Sequence, residues 1–132
     1  MVFTREQSDK ERKDPLFPML PEIRPLFEGP PGAAGEVLTE LASGARFSLH
    51  HIASHGAASP AGFWYDQQEP EWVALVSGQA ILEFPDGPLP LKAGDALLIP
   101  AFQRHRVART SPDAVWIALH FRPDERDPKN GN

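Results

Sequence analysis

The sequence contains no cysteine among its 132 residues, and this absence excludes several classes of site. Without a thiol the chain forms no disulfide, no cysteine-ligated zinc site, no iron–sulfur cluster and no thiol nucleophile. The sequence also lacks any apolar run near the ~20 residues that a membrane-spanning helix needs. Its charged start, MVFTREQSDKERKDP, has no apolar stretch of the kind found in secretory signals. We therefore expect a cytoplasmic protein that has no membrane partner.

Excess positive charge and the common nucleotide and hydrolase motifs are absent as well. The chain has 18 acidic and 13 basic residues, so a nucleic-acid partner is not expected. It has no G-x-S-x-G, no phosphate-binding loop, no G-x-G-x-x-G and no H-E-x-x-H. A hydrophobic fraction of 41% and this length indicate one globular domain.

Proline is unevenly distributed and marks an N-terminal arm. Six of the 15 prolines lie in residues 15–31, where each one removes a backbone donor and restricts the residue before it. The same segment carries seven large apolar side chains, which favours an extended arm packed on the domain or on a partner chain. We predict an arm over residues 1–31 with residues 1–14 frayed, a barrel over 32–123, and a polar tail over 124–132.

After Gly32 the chain has short apolar stretches separated by turn residues and no sustained helical period. Turns are indicated at Pro85-Asp86-Gly87, at Ala93-Gly94-Asp95 and at Ser111-Pro112-Asp113. Such spacing is typical of an all-β sandwich or barrel. The predicted strands are 37–41, 46–53, 71–77, 79–84, 89–92, 96–99, 105–110 and 114–121.

Two segments resemble the paired motifs of the cupin superfamily. The first motif ends in a glutamate and a glycine with six residues between them, as Glu71 and Gly78 stand here. In the second motif, five residues separate a glycine from a proline, and a histidine follows five positions after the proline. Gly94, Pro100 and His105 have this spacing here. The resemblance implies a double-stranded β-helix barrel, of the cupin or jelly-roll-like type, that forms homodimers.

The resemblance also implies one divalent metal ion, held by two histidines and the glutamate of the first motif and by the histidine of the second. Glu71 and His105 match two of these ligands, whereas Phe102 replaces the glycine of the second motif. In the family, three or four residues separate the second histidine of the first motif from the glutamate. With three residues, the two histidine positions are Tyr65 and Gln67 here, and with four they are Trp64 and Asp66, so neither spacing gives a histidine. We therefore predict a manganese, iron, nickel or zinc ion at Glu71, His105 and Gln67.

Strand alternation supports the same grouping without the family. In an extended strand, every second side chain points to the same face. This alternation places Tyr65, Gln67 and Glu71 on one face, and it places His105 and Arg109 on one face of the later strand. Tyr65 is the only tyrosine and is predicted to serve as a proton donor or as a hydroxyl group in the cavity. Arg109 is predicted to bind an anionic ligand. Further histidines that could join the site are His50, His51, His55 and His120. Strand alternation places His51 and His120 on the same face as apolar residues of their own strands.

Two functions follow as expectations. The first is a metal-dependent enzyme that oxygenates, isomerises or eliminates a small anionic molecule, with Tyr65 and Arg109 as its catalytic residues. The alternative is a cupin without a bound metal that binds a small molecule for sensing or storage, since a fold alone does not decide function.

Overall fold

The computed structural model describes residues 20–30 and 32–123, so the predicted frayed ends, residues 1–14 and 124–132, lie outside the described residues. The described chain forms eight β-strands and no helix, so within those ranges no helix could cross a membrane. In chain order the strands are β1 (Val37–Ser43), β2 (Phe47–Ala53), β3 (Glu71–Ser77), β4 (Gln79–Phe84), β5 (Gly87–Lys92), β6 (Ala96–Ile99), β7 (Arg106–Thr110) and β8 (Val115–Phe121).

The strands form two antiparallel sheets. One has five strands in the order β1-β2-β8-β3-β6, and the other has three strands in the order β5-β4-β7. The all-β cupin barrel predicted from the sequence is confirmed, and the predicted strands differ from the observed ones by no more than two residues at any end. In β5 the observed strand begins earlier, at Gly87, and includes Pro88 and Pro90. Proline is tolerated there because β5 is an edge strand.

The chain passes from the five-stranded to the three-stranded sheet at Gly78, between β3 and β4. Gly78 has φ 80°, and a Cβ atom there would lie 2.5 Å from Ser111 Oγ and 2.7 Å from Ala114 Cα. Both the backbone angle and the close packing exclude a side chain. The glycine at the end of the first motif is therefore required where the two sheets are joined.

The hydrophobic core lies between the two sheets. Residues of β3, β4, β6 and β8 supply its buried members, among them Leu75 at 0% exposure and Leu82 at 3%. Trp116 is 5% exposed, and its indole Nε1 donates a hydrogen bond to Ser54 Oγ at 3.0 Å. The polar atom of this large side chain is thus satisfied inside the core, and the barrel end next to it stays open for the cavity described below.

The arm meets the barrel at β2. The His51 ring is 5% exposed, and its Nε2–H donates to the carbonyl oxygen of Leu26 at 2.9 Å. The apolar side chains of the described arm residues remain largely exposed, with Ile23 at 93% and Phe27 at 66%. Gly29 also lies close to Ala53 and His55, so the described part of the arm contacts the barrel at β2 and just after it. Residues 15–19 lie outside the described part of the chain.

Candidate functional site

One cavity of about 170 Å³ opens between the sheets and brings together most of the polar residues singled out in the sequence. Its polar lining consists of Glu36, Tyr65, Gln67, Glu71, His105 and His120, and its apolar lining of Leu38, Ile52, Val73, Leu82, Ile99, Val107 and Trp116. Seven of the eight strands or their flanking loops contribute to this surface. A cavity with apolar walls and a few convergent polar groups is the usual form of a small-molecule site.

Glu71 lies at the centre of the polar lining, between two histidines. Its Oε1 lies 3.5 Å from His105 Nε2 and its Oε2 lies 3.1 Å from His120 Nε2. The side chains of Glu71, His105 and His120 are 13%, 5% and 20% exposed, so the carboxylate is largely withdrawn from water. β3 and β8 are paired in register, with Glu71 opposite His120, which explains why the two residues meet.

His105 is held on two sides, and this fixes which nitrogen titrates. Its Nδ1 lies 2.9 Å from the carbonyl oxygen of Gln103. A carbonyl only accepts hydrogen bonds, so Nδ1 carries the proton and Nε2, facing Glu71, is the nitrogen that gains or loses one. The backbone of His105 also pairs with Tyr65 in an isolated antiparallel bridge. That bridge attaches the loop before β3 to the start of β7.

The charges of the three groups depend on each other. Burial by itself raises the pKa of the Glu71 carboxyl, but its contacts with His105 and His120 outweigh burial and lower the pKa to about 2. Burial lowers the pKa of His105, yet its contact with Glu71 and its bond to Gln103 raise it above the ordinary value. The contact with Glu71 likewise raises the pKa of His120. Glu71 is therefore an anion at neutral pH and stabilises an imidazolium on either side.

Tyr65 lies against the triad of Glu71, His105 and His120. Its ring stacks on the His105 ring with centroids 5.3 Å apart and planes inclined by 24°. Burial raises the pKa of the Tyr65 phenol, and the carboxylates of Glu36 and Glu71 raise it further. The phenol thus keeps its proton at neutral pH and offers the cavity a hydrogen-bond donor.

The predicted metal ligands line one cavity but do not form a ligand cage. Glu71, His105 and Gln67 all contribute to its wall. Both oxygens of Glu71 face histidine nitrogens, so each oxygen already has an imidazole as its neighbour. Within residues 20–30 and 32–123, no three histidine, cysteine, aspartate or glutamate side chains are arranged to hold a metal ion. As placed, the nitrogen and oxygen atoms that could bind a divalent ion contact each other directly.

Arg109 is not where strand parity predicted it, and this prediction is corrected. In the β4–β7 ladder Ile81 pairs with Arg109 and Leu82 pairs with Val107, so Ala108 is an extra residue. Such a β-bulge reverses the alternation, which leaves Val107 on the cavity side and Arg109 on the opposite face. The prediction of an anionic ligand depended on Arg109 and loses that support.

The other histidines are distributed differently from the expectation. His120, which the sequence offered only as one of several candidates, lines the cavity, and its shared parity with Trp116 was the signal for it. His51 faces the arm instead of the cavity. His50 lies beside His120, with ring centroids 5.9 Å apart, and its buried Nδ1 has no hydrogen-bond partner within the described chain. His55 Nδ1 bonds the carbonyl oxygen of Gly35 at 2.6 Å.

Comparison with solved structures finds close similarity in fold. A candidate mannose-6-phosphate isomerase from Ralstonia eutropha JMP134 is 40% identical, and the match covers 78% of this chain and 100% of that one, with a TM-score of 0.71. A cupin superfamily protein from Desulfitobacterium hafniense is 18% identical over 79% of this chain and 95% of that one, with a TM-score of 0.63. A sugar phosphate isomerase of the cupin superfamily from Silicibacter pomeroyi is 23% identical over 67% and 60%, with a TM-score of 0.56.

The two more distant structures support the fold alone. Among proteins with curated descriptions, none matches the chain. The family model described as a cupin domain matches residues 41–120, which include Glu71, His105 and His120. Because this match spans more than half of the 132 residues, the chain belongs to the cupin family.

Proposed function

We propose that the protein is a small-molecule enzyme that moves a proton between carbon and oxygen positions of a hydroxycarbonyl compound, as an isomerase does. The observation that carries the proposal is the Glu71 carboxylate set between the Nε2 atoms of His105 and His120 inside a cavity. A carboxylate that is ionised at neutral pH beside two imidazoles forms a proton-transfer unit in which a proton taken up by either ring is stabilised.

The proposed roles follow from which atoms carry protons. A neutral imidazole accepts the proton from the substrate carbon next to the carbonyl, at Nε2, and the electron pair of the broken C–H bond moves to the carbonyl oxygen. Tyr65 donates a hydrogen bond to that oxygen while its charge develops. The imidazolium then returns the proton to the former carbonyl carbon. The hydroxyl proton on the first carbon passes to the former carbonyl oxygen, which leaves a carbonyl group at the first carbon and completes the isomerisation without net change of atoms or electrons.

The 40% identical Ralstonia eutropha protein, named as a candidate mannose-6-phosphate isomerase, supports isomerisation over the oxygenation and elimination that the sequence left open. Aldose–ketose isomerisation needs a base and a proton donor on the same side of the substrate. Tyr65 and His105 stack within one cavity and offer both.

The metal-dependent form of this enzyme is a second candidate. One observation favours it: the bond from His105 Nδ1 to the Gln103 carbonyl is of the kind that orients metal-bound imidazoles. A bound manganese, iron, nickel or zinc ion would supply a Lewis acid for the carbonyl oxygen. Elemental analysis of protein purified without an affinity tag tests it, and a stoichiometric metal together with activity lost on chelation would establish it.

The test of proton transfer is deuterium incorporation from heavy water into hydroxycarbonyl compounds, followed by NMR. Glyceraldehyde, dihydroxyacetone, mannose and fructose serve as a panel of open-chain and ring-forming candidates. We expect exchange at the carbon next to the carbonyl with the wild type and a loss of at least about 100-fold in the His105→Ala variant. Arg109→Ala is the matched control, because Arg109 lies outside the cavity.

Two outcomes would overturn the proposal. Exchange that persists unchanged in His105→Ala would remove the triad from the chemistry. Tight binding of a compound without any exchange would make the protein a non-catalytic binding cupin, the alternative expected from the sequence.

The homodimer expected from the sequence is retained as a proposal. Its support is the outer face of the five-stranded sheet, where Phe47, Trp72 and Leu98 are 43%, 39% and 55% exposed. Light scattering should give twice the 14.6 kDa of one chain, and Trp72→Glu should shift the mass to one chain. A monomeric wild type would contradict the proposal.

A further inference from the structure

We infer that the cavity takes an uncharged, hydroxyl-bearing compound and discriminates against its phosphate ester. This inference concerns the substrate class and rests on the site of the proposed function. It departs from what the name of the Ralstonia eutropha protein would suggest. The observations behind it are the charges that line the cavity, the positions of the described cationic side chains and the size of the space.

The charged lining of the cavity contains carboxylates and imidazoles but no guanidinium or ammonium group among the described residues. Glu36 and Glu71 supply two negative charges, and His105 and His120 supply at most two positive ones. Each imidazolium is already paired with the same carboxylate, Glu71. A phosphate dianion would therefore enter a space without an unpaired cation and would face Glu36 near Tyr65.

The described arginines and lysines are held or directed elsewhere. Arg106 forms an ion pair with Glu83 at 2.9 Å, and Arg122 lies 3.6 Å from Glu69. Arg104 lies over the Trp64 ring with Cζ 5.0 Å from its centroid. The remaining ones, Arg24, Arg46, Lys92 and Arg109, do not line the cavity. Thus no described residue provides the bidentate contact by which proteins usually hold phosphate.

The size of the cavity also favours a compact, uncharged ligand. The cavity volume of about 170 Å³ is below the roughly 300 Å³ at which pockets for drug-sized ligands begin. Carboxylate and amide oxygens and the Tyr65 phenol suit hydroxyl groups, and the Trp116 and Ile52 side chains offer an apolar wall for the carbon skeleton. A compact polyhydroxy compound satisfies both parts of this lining.

The experiment compares mannose with mannose 6-phosphate, which differ only in the phosphate, by calorimetric titration of the full chain at neutral pH. We expect mannose to bind at least tenfold more tightly, with an affinity that changes little between low and high salt. Leu38→Arg places a cation at the cavity wall and should reverse the preference, whereas Leu38→Met, the size-matched control, should retain it.

Equal or tighter binding of the phosphate by the wild type would overturn the inference, and so would a failure of mannose to bind. The proposed proton transfer is judged separately. If mannose binds preferentially but exchanges no deuterium, the charge preference stands and the isomerase proposal fails. If the phosphate binds preferentially and is isomerised, the isomerase proposal stands and the charge preference fails.

Discussion

The two faces of the β4–β7 pair border two depressions with different chemistry. On the inner face Leu82 and Val107 line the cavity of about 170 Å³ that contains the Glu71 triad. On the outer face Ile81 and Arg109 line a groove of about 560 Å³ whose other members include Lys92 and Asp95. The larger depression is open and charged, with its ion pair between Lys92 and Asp95 at 3.4 Å and exposed to solvent.

The larger of the two depressions is not the better candidate for the functional site. An exposed ion pair contributes little, because water screens both charges and the side chains must be ordered. The carboxylate and imidazole groups of the cavity are instead buried together, and there they shift the pKa of each other. We therefore expect the proposed reaction to take place in the smaller cavity, where the ionisable groups interact with each other.

The largest effect should come from removing the carboxylate at the centre of the cavity. Glu71→Gln keeps the shape of the side chain but leaves two largely buried imidazoles without their counter-charge. We expect deuterium exchange to fall at least about 100-fold and the free energy of unfolding to fall by about 2 kcal/mol. The groove offers the matched control, since Asp95→Asn should leave exchange unchanged. Wild-type exchange in Glu71→Gln would remove the triad from the mechanism.

The second prediction concerns pH. The pKa of Glu71 lies at about 2 against an ordinary 4.5, so its stabilising contribution is complete above pH 4.5 and disappears as the pH falls towards 2. The pKa values of His105 and His120 are raised above 6.5, so their contribution is complete below pH 6.5 and disappears as the pH rises through the raised values. The two contributions overlap between about pH 4.5 and 6.5.

Denaturant titrations across pH measure this overlap. The stability difference between wild type and Glu71→Gln should be largest between about pH 4.5 and 6.5 and should narrow on both sides. Asp95→Asn provides the comparison from the groove, and its difference from wild type should vary much less over the same range. If the stability difference between wild type and Glu71→Gln did not change with pH, the three groups of the triad would not be ionised as described.

Regular pairing explains how much of this site could be predicted from sequence. β3 and β8 pair without interruption from Glu71 to Leu75, so alternation along the strands correctly grouped Glu71 with Val73 and Leu75. The second motif correctly selected His105. His120 was harder to recognise, because partnership with Glu71 depends on which strand lies beside β3, and neither alternation nor motif spacing specifies that neighbour.

The failures have equally definite causes. Arg109 was misplaced because one extra residue, Ala108, interrupts the β4–β7 ladder, and a bulge leaves no clear mark in the sequence of a strand of five residues. Glu36, at the cavity mouth, lies in the loop before β1, where alternation gives no information. The cavity as a space is formed by both sheets, so its volume and charge follow only from the assembled fold.

The third prediction concerns backbone strain near the cavity. Phe102 replaces the second-motif glycine and has φ 64°, in the left-handed region, while its N–H donates to the carbonyl oxygen of the cavity residue Gln67 at 2.7 Å. Its side chain is 66% exposed, so removal loses little packing. Phe102→Gly should raise the free energy of unfolding by about 0.5 kcal/mol by relieving the strain. Phe102→Ala, which keeps the strain, should give no gain; an equal gain would contradict this explanation.

The smallest effect is expected at Arg109, and it tests the comparison of the two faces most directly. Arg109→Ala should change the free energy of unfolding by less than about 0.5 kcal/mol and leave ligand affinity and deuterium exchange unchanged, because Arg109 is exposed and lines only the groove.

Arg106→Ala is the matched variant on the same strand. Its guanidinium bonds Glu83 at 2.9 Å and the carbonyl oxygen of Ser59 at 3.1 Å, so its loss should cost about 2 kcal/mol. Weakened sugar binding in Arg109→Ala with unchanged stability would mean that the groove, and not the cavity, receives the ligand.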